Sequence, residues 1–151
     1  VTELLLKEYG HSNWIVIADA AYPSQSAPGI STFVTGAEHL EVISTVLDMV
    51  DDAHHVRPVI MVDKELGYLT DNEVSGIEGY QDDLKSLLGK RDYTSMLHEE
   101  IIHKLDEASS LVKVLILKTE MVMPYTSVFI QLDCGYWGSE DEAQLRDKMK
   151  D

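Results

Sequence analysis

Trp14-Ile15-Val16-Ile17-Ala18-Asp19-Ala20-Ala21-Tyr22-Pro23 is the stretch that decides the fold class. Its first five residues are apolar and three of them, Ile15, Val16 and Ile17, are β-branched, the signature of a strand buried on both faces. Pro23 cannot donate to a ladder and stops the run. Similar runs recur at Pro58–Val62, which closes on Asp63, at Val112–Leu117 and at Val128–Leu132. Between them lie stretches of helical period at 38–53, 80–88 and 98–109. Alternation of buried strands with helices argues for an α/β layered domain. No repeat or linker interrupts it, so residues 1–151 read as a single domain. Ligands of open α/β sheets bind beyond the carboxyl ends of the strands, and Asp19 stands at such an end.

The rest of the chain fits around these runs. In 38–53, Leu40, Ile43, Val46, Leu47 and Val50 share one helical face, with Glu38, Glu41, Asp48 and Asp51 mostly on another. Residues 2–9 read as a short helix with Thr2 as cap, and 139–150 as a charged amphipathic helix or tail. Pro23, Pro28, Gly29 and the serines between mark 20–31 as a long ordered loop or lid. Gly67, Gly76 and Gly79 leave 64–79 irregular.

Charge narrows the partners. Twelve basic residues against 27 acidic give a net charge of −15, which repels nucleic acid and anionic lipid and favours an uncharged or cationic small ligand. No apolar run approaches the ~20 residues that span a bilayer. Cys134 is the only cysteine, so no intrachain disulfide forms, and a reducing, cytoplasmic setting is expected. The sequence opens at Val1, which leaves a removed leader open. There is no Gly-rich phosphate loop and no serine elbow, which removes the common nucleotide and hydrolase explanations.

Several side chains are candidates for chemistry. His11 and Asp19 bracket the first strand, whose five residues span roughly 16 Å, so they meet only if the preceding loop folds back. Otherwise Asp19 caps a turn and His11 is a loop histidine. His98 and His103 stand five apart in a helix, about 140° from each other, so they cannot clamp one metal ion as histidines four apart can. At most one of them faces a site. Asp48, Asp51, Asp52, His54 and His55 have the composition of a metal site, but a solvated helix end explains them better, because histidine is favoured there by the helix dipole. No metal is expected. Tyr125, before the last core strand, offers a hydroxyl and an aromatic face to a sugar, or is an ordinary turn residue.

Taken together, these residues resemble the ribose pyranase / fucose mutarotase family. Its first motif reads approximately Gly-His-Gly-Asp, an apolar strand, then Ala-Asp-Ala-x-aromatic-Pro. This chain has Gly10-His11-Ser12-Asn13, the strand, then Ala18-Asp19-Ala20-Ala21-Tyr22-Pro23. The family's last motif, Thr-Gly-Glu-x-x-Pro-Tyr-Ala-Asn, corresponds to Thr119-Glu120-Met121-Val122-Met123-Pro124-Tyr125-Thr126-Ser127. The family histidine or arginine sixteen residues before that threonine falls on His103. His98, in His98-Glu99-Glu100-Ile101, is the rival because it looks locally like the ribose-type motif. The chain departs at Asn13 for aspartate, at Glu120-Met121 for Gly-Glu and at Ser127 for the asparagine that contacts sugar, and 64–95 matches poorly.

The resemblance implies a compact α/β/α domain and assembly into rings, often decamers of two pentamers, with sites at subunit borders. It implies no metal or organic cofactor, and interconversion of anomers or of pyranose and furanose forms of a monosaccharide. Under it His11 is the leading general acid/base and Asp19 orients it. His103 or His98 is the second proton-transfer group or a hydroxyl ligand, and Tyr125 and Ser127 hold sugar hydroxyls. The departures at Ser127 and Met121 motivate an alternative, a sugar-binding pseudo-enzyme of the same fold. A metal-dependent hydrolase using the acidic, histidine-rich surface is the third reading.

Overall fold

Six strands form one sheet in the order β2-β5-β1-β6-β3-β4 in the computed structural model, which describes residues 13–22, 29–135 and 139–150. They are β1 (Trp14–Ala18), β2 (Ile30–Val34), β3 (Val56–Asp63), β4 (Tyr93–Met96), β5 (Val114–Lys118) and β6 (Val128–Cys134). The helices are α1 (His39–Asp52), α2 (Ile77–Leu88), α3 (His98–Ser109) and α4 (Ser139–Met149), with a short 3-10 turn at Lys64–Tyr68. The helix expected over 2–9, His11 and Pro23 lie outside the described residues.

Period-two alternation divides the core into two. Ile15, Ile17, Ile60, Val62, Leu115 and Leu117 pack on one face with apolar residues of α1 and α2. Trp14, Val16, Ala18, Met61, Ile116 and Phe129 pack on the other with Ile101 and Leu105 of α3 and with Tyr22. The result is the expected α/β/α layering. β1 is buried throughout, because helices cover both its faces and β5 and β6 flank it.

Two expectations are corrected. The loop over 20–31 ends sooner, since Ile30 opens β2, and β4 was not foreseen at all. Both are edge strands with partly or fully exposed side chains, so neither carries an unbroken apolar run. The irregular 64–79 also contains the 3-10 turn and the start of α2 at Ile77.

Strand direction positions the site. β2, β5 and β1 pair in parallel, as do β3 and β4, while β6 runs antiparallel between β1 and β3. The carboxyl ends of five strands therefore share one edge with the beginning of β6. Val128 pairs with Ile17 on one side and Val62 on the other, so Ser127 stands between the ends of β1 and β3.

Candidate functional site

Asp63 is the last residue of β3 and is buried. Its Oδ1 lies 2.9 Å from Nδ1 of His98, the first residue of α3. Among the described residues its Oδ2 has no hydrogen-bond partner. Burial raises the Asp63 carboxyl above the ordinary carboxylate value; the His98 bond opposes this, and the neighbouring charges of Glu65 and Asp19 add to it.

His98 is half-buried, with a side-chain exposure of 36%. Its own backbone N–H donates to both carboxylate oxygens of Glu65, at 2.9 and 3.1 Å. Leu97 cannot cap α3 with its side chain, and this carboxylate from the 3-10 turn satisfies an orphan donor instead. The imidazole meets Tyr125 edge-on at a centroid distance of 5.8 Å and Phe129 at 6.3 Å. One side of the ring is thus fixed by a carboxylate and another by aromatic edges.

Asp19 sits just past β1. Its Oδ1 accepts from the Ala21 N–H at 3.1 Å, so it does cap a turn, and its charge also reaches Asp63 and Tyr22. The Tyr22 hydroxyl is pushed up to about 12, first by burial and then by Asp106, Asp63 and Asp19. Ser127 is buried at the start of β6's approach, and Tyr125 is 39% exposed with φ 59°, a left-handed conformation uncommon for a non-glycine residue.

The structure therefore brings Asp19, His98, Tyr125 and Ser127 to one edge. It does not bring His103 there: that ring is exposed and pairs with Glu107 one turn on, at 3.2 Å. His11 lies outside the described residues. Among the described residues no cluster of three or more His, Cys, Asp or Glu side chains could hold a metal ion. No helix there is long and apolar enough to cross a membrane.

Two residues were missed by sequence reasoning. Asp63 was seen only as a strand end. His39, at the start of α1, is buried and joins both ends of the β5–β6 connection, with Nδ1 2.7 Å from Thr119 Oγ1 and Nε2 2.7 Å from the Thr126 carbonyl. Burial lowers its pKa, with the Thr126 bond, Glu38 and Asp19 opposing. A neutral ring then donates from Nε2 to Thr126 and accepts at Nδ1 from the Thr119 hydroxyl. Tyr80 donates to the same Thr126 carbonyl at 2.8 Å. These bonds hold the loop that carries Tyr125 and Ser127. On the loop's other flank is a hollow of about 430 Å³ lined by Glu38, His39, Gly76, Glu120, Met121 and Met123.

Solved structures share this architecture. Bacillus subtilis RbsD complexed with D-ribose aligns over 87% of this chain and 90% of its own, with TM-score 0.59 and 18% identity. The fucose mutarotase from Streptococcus pneumoniae, in complex with L-fucose, covers 86% of this chain and 89% of its own, with TM-score 0.55 and 20% identity. FucU from Bifidobacterium longum covers 87% and 90%, with TM-score 0.58 and 14% identity. At these identities the likeness is one of fold, and it is the fold that the sequence resemblance implied. No protein-family model matches the sequence, and no curated protein matches it significantly.

Proposed function

We propose that this chain is a monosaccharide mutarotase or pyranase-type isomerase that works by general acid/base catalysis without metal or organic cofactor. The observation that carries this reading is the gathering of Asp19, His98, Tyr125 and Ser127 at one sheet edge, in a fold shared with proteins solved with ribose and fucose. A base removes the anomeric hydroxyl proton while an acid protonates the ring oxygen; the bond between the anomeric carbon and ring oxygen breaks, leaving an open-chain aldehyde. Rotation and reclosure on the same hydroxyl exchange anomers, and closure on another changes ring size. Histidine transfers protons near neutrality, and the gain required over water is within the ~10²–10⁴ of positioned acid/base groups.

In this reading His11, oriented by Asp19, is one proton-transfer group. His98 is the other, favoured over His103 because it stands beside Tyr125 while His103 pairs with Glu107 at the surface. Tyr125 and Ser127 hold hydroxyls. The subunits form a ring, up to a decamer, with sites at their borders, in a reducing cytoplasm that suits the free thiol of Cys134. An uncharged sugar suits a protein of net charge −15.

Saturation-transfer NMR on D-ribose, L-fucose and other monosaccharides tests this. Anomer or ring-form exchange faster than in buffer, lost in His98→Ala, is the expected result. No acceleration with any sugar overturns it. Binding without acceleration selects the sugar-binding pseudo-enzyme, which the serine at 127 and the methionine at 121 favour.

A further inference from the structure

We infer that Asp63 is a positioning residue that fixes the tautomer of His98, holding its Nδ1 as the protonated nitrogen and leaving Nε2 bare as a proton acceptor. The kinetic consequence rests on the isomerase reading; the tautomer does not.

The argument is geometric. A neutral imidazole carries one proton, and the nitrogen that holds it is set by the hydrogen bond the other groups offer. At His98 the Nδ1 partner is a carboxylate oxygen at 2.9 Å on a fully buried side chain, anchored at the end of a strand paired on both sides. A buried carboxylate needs a donor, because leaving it without one costs more than the bond itself contributes. The alternative places the proton on Asp63, donating to a bare Nδ1. In that alternative the ring's own proton sits on Nε2, so the two arrangements differ at both nitrogens.

The charges of Glu65 and Asp19 disfavour a carboxylate at Asp63, and the bond from His98 works against them. Glu65 binds the His98 backbone N–H, while Asp19 adds negative charge near Asp63. Among the described residues Tyr22 and Tyr80 also feel the Asp63 charge, and Tyr125 and Phe129 lie against the His98 ring. No cation among these groups competes for the carboxylate. Asp63 does not have to touch substrate: it acts through His98, as a buried aspartate orients the base of a Ser-His-Asp triad.

The test is nitrogen NMR of histidine-labelled protein, with His98 assigned by His98→Gln. In the wild-type spectrum a protonated Nδ1 and a bare Nε2 are expected, and a bare Nδ1 overturns the inference. In Asp63→Leu, whose side chain offers Nδ1 no acceptor, loss of the Nδ1–H preference is expected. An unchanged tautomer overturns it. On a sugar that wild type turns over, Asp63→Leu lowers kcat by at least ~10-fold with KM little changed. If wild type accelerates no sugar, the isomerase reading fails while the spectrum still decides the role of Asp63.

Discussion

Removing the His39 imidazole and the Tyr80 hydroxyl, singly and together, measures how the site loop is held. Both groups donate to the Thr126 carbonyl, at 2.7 and 2.8 Å. Tyr80→Phe removes one bond and keeps the ring, so its cost is that of a net hydrogen bond, about 1 kcal/mol. His39→Leu removes two bonds, but Thr126 keeps Tyr80, and the Thr119 hydroxyl, released from Nδ1, turns its one proton to the Ala18 carbonyl 3.2 Å away. Its cost is about 1–3 kcal/mol, moderated because the leucine has no polar ring to desolvate. The double variant leaves the buried Thr126 carbonyl with neither donor, which adds about 1–3 kcal/mol beyond the sum of the singles. Urea unfolding with unchanged m-values reads all three. Additivity within about 0.5 kcal/mol would show that the carbonyl is not shared, and the account of how Tyr125 and Ser127 are positioned would be wrong.

Three other outcomes follow from the same geometry. Since burial holds the folded-state pKa of His39 below 6.5, its unfolded form binds a proton the folded form refuses. Stability is full above pH 6.5 and falls as pH drops through 6.5 toward the folded value, and thermal melts of His39→Gln should show a shallower acid slope than wild type. At Tyr125, φ is 59°, so Tyr125→Asn should leave stability within about 0.5 kcal/mol, while Tyr125→Val, β-branched in a left-handed conformation, should cost about 1–3 kcal/mol in the same denaturation assay. A Cβ on Gly29 would come within 2.6 Å of the Ser109 carbonyl oxygen and 3.0 Å of that of Val112, so Gly29→Ala should lower stability by about 1–3 kcal/mol, and an unchanged melting temperature would contradict that close approach.

What the sequence made legible follows from burial. β1, β3, β5 and β6 read as apolar runs because their side chains are mostly enclosed. β2 and β4 do not, since Ser31, Thr32, Thr94 and Ser95 leave an edge strand looking like a loop. Asp19 and Asp63 were both placed at strand ends, and the helical arithmetic separating His98 from His103 anticipated their different surroundings. Which of the two stands beside Tyr125 depended on the seating of α3 on the sheet, which no local spacing encodes. The partnerships of Asp63 with His98, 35 residues on, and of His39 with Thr119 and Thr126, 80 and 87 residues on, are long-range products of strand order.

A crystal structure of the assembled protein soaked with D-ribose or L-fucose bears most directly on the isomerase reading. The sugar is expected against the Tyr125 ring, with its hydroxyls within hydrogen-bonding distance of His98 Nε2 and Asp19. A monosaccharide bound elsewhere on the chain, with that edge of the sheet left to solvent at saturating sugar, would contradict it.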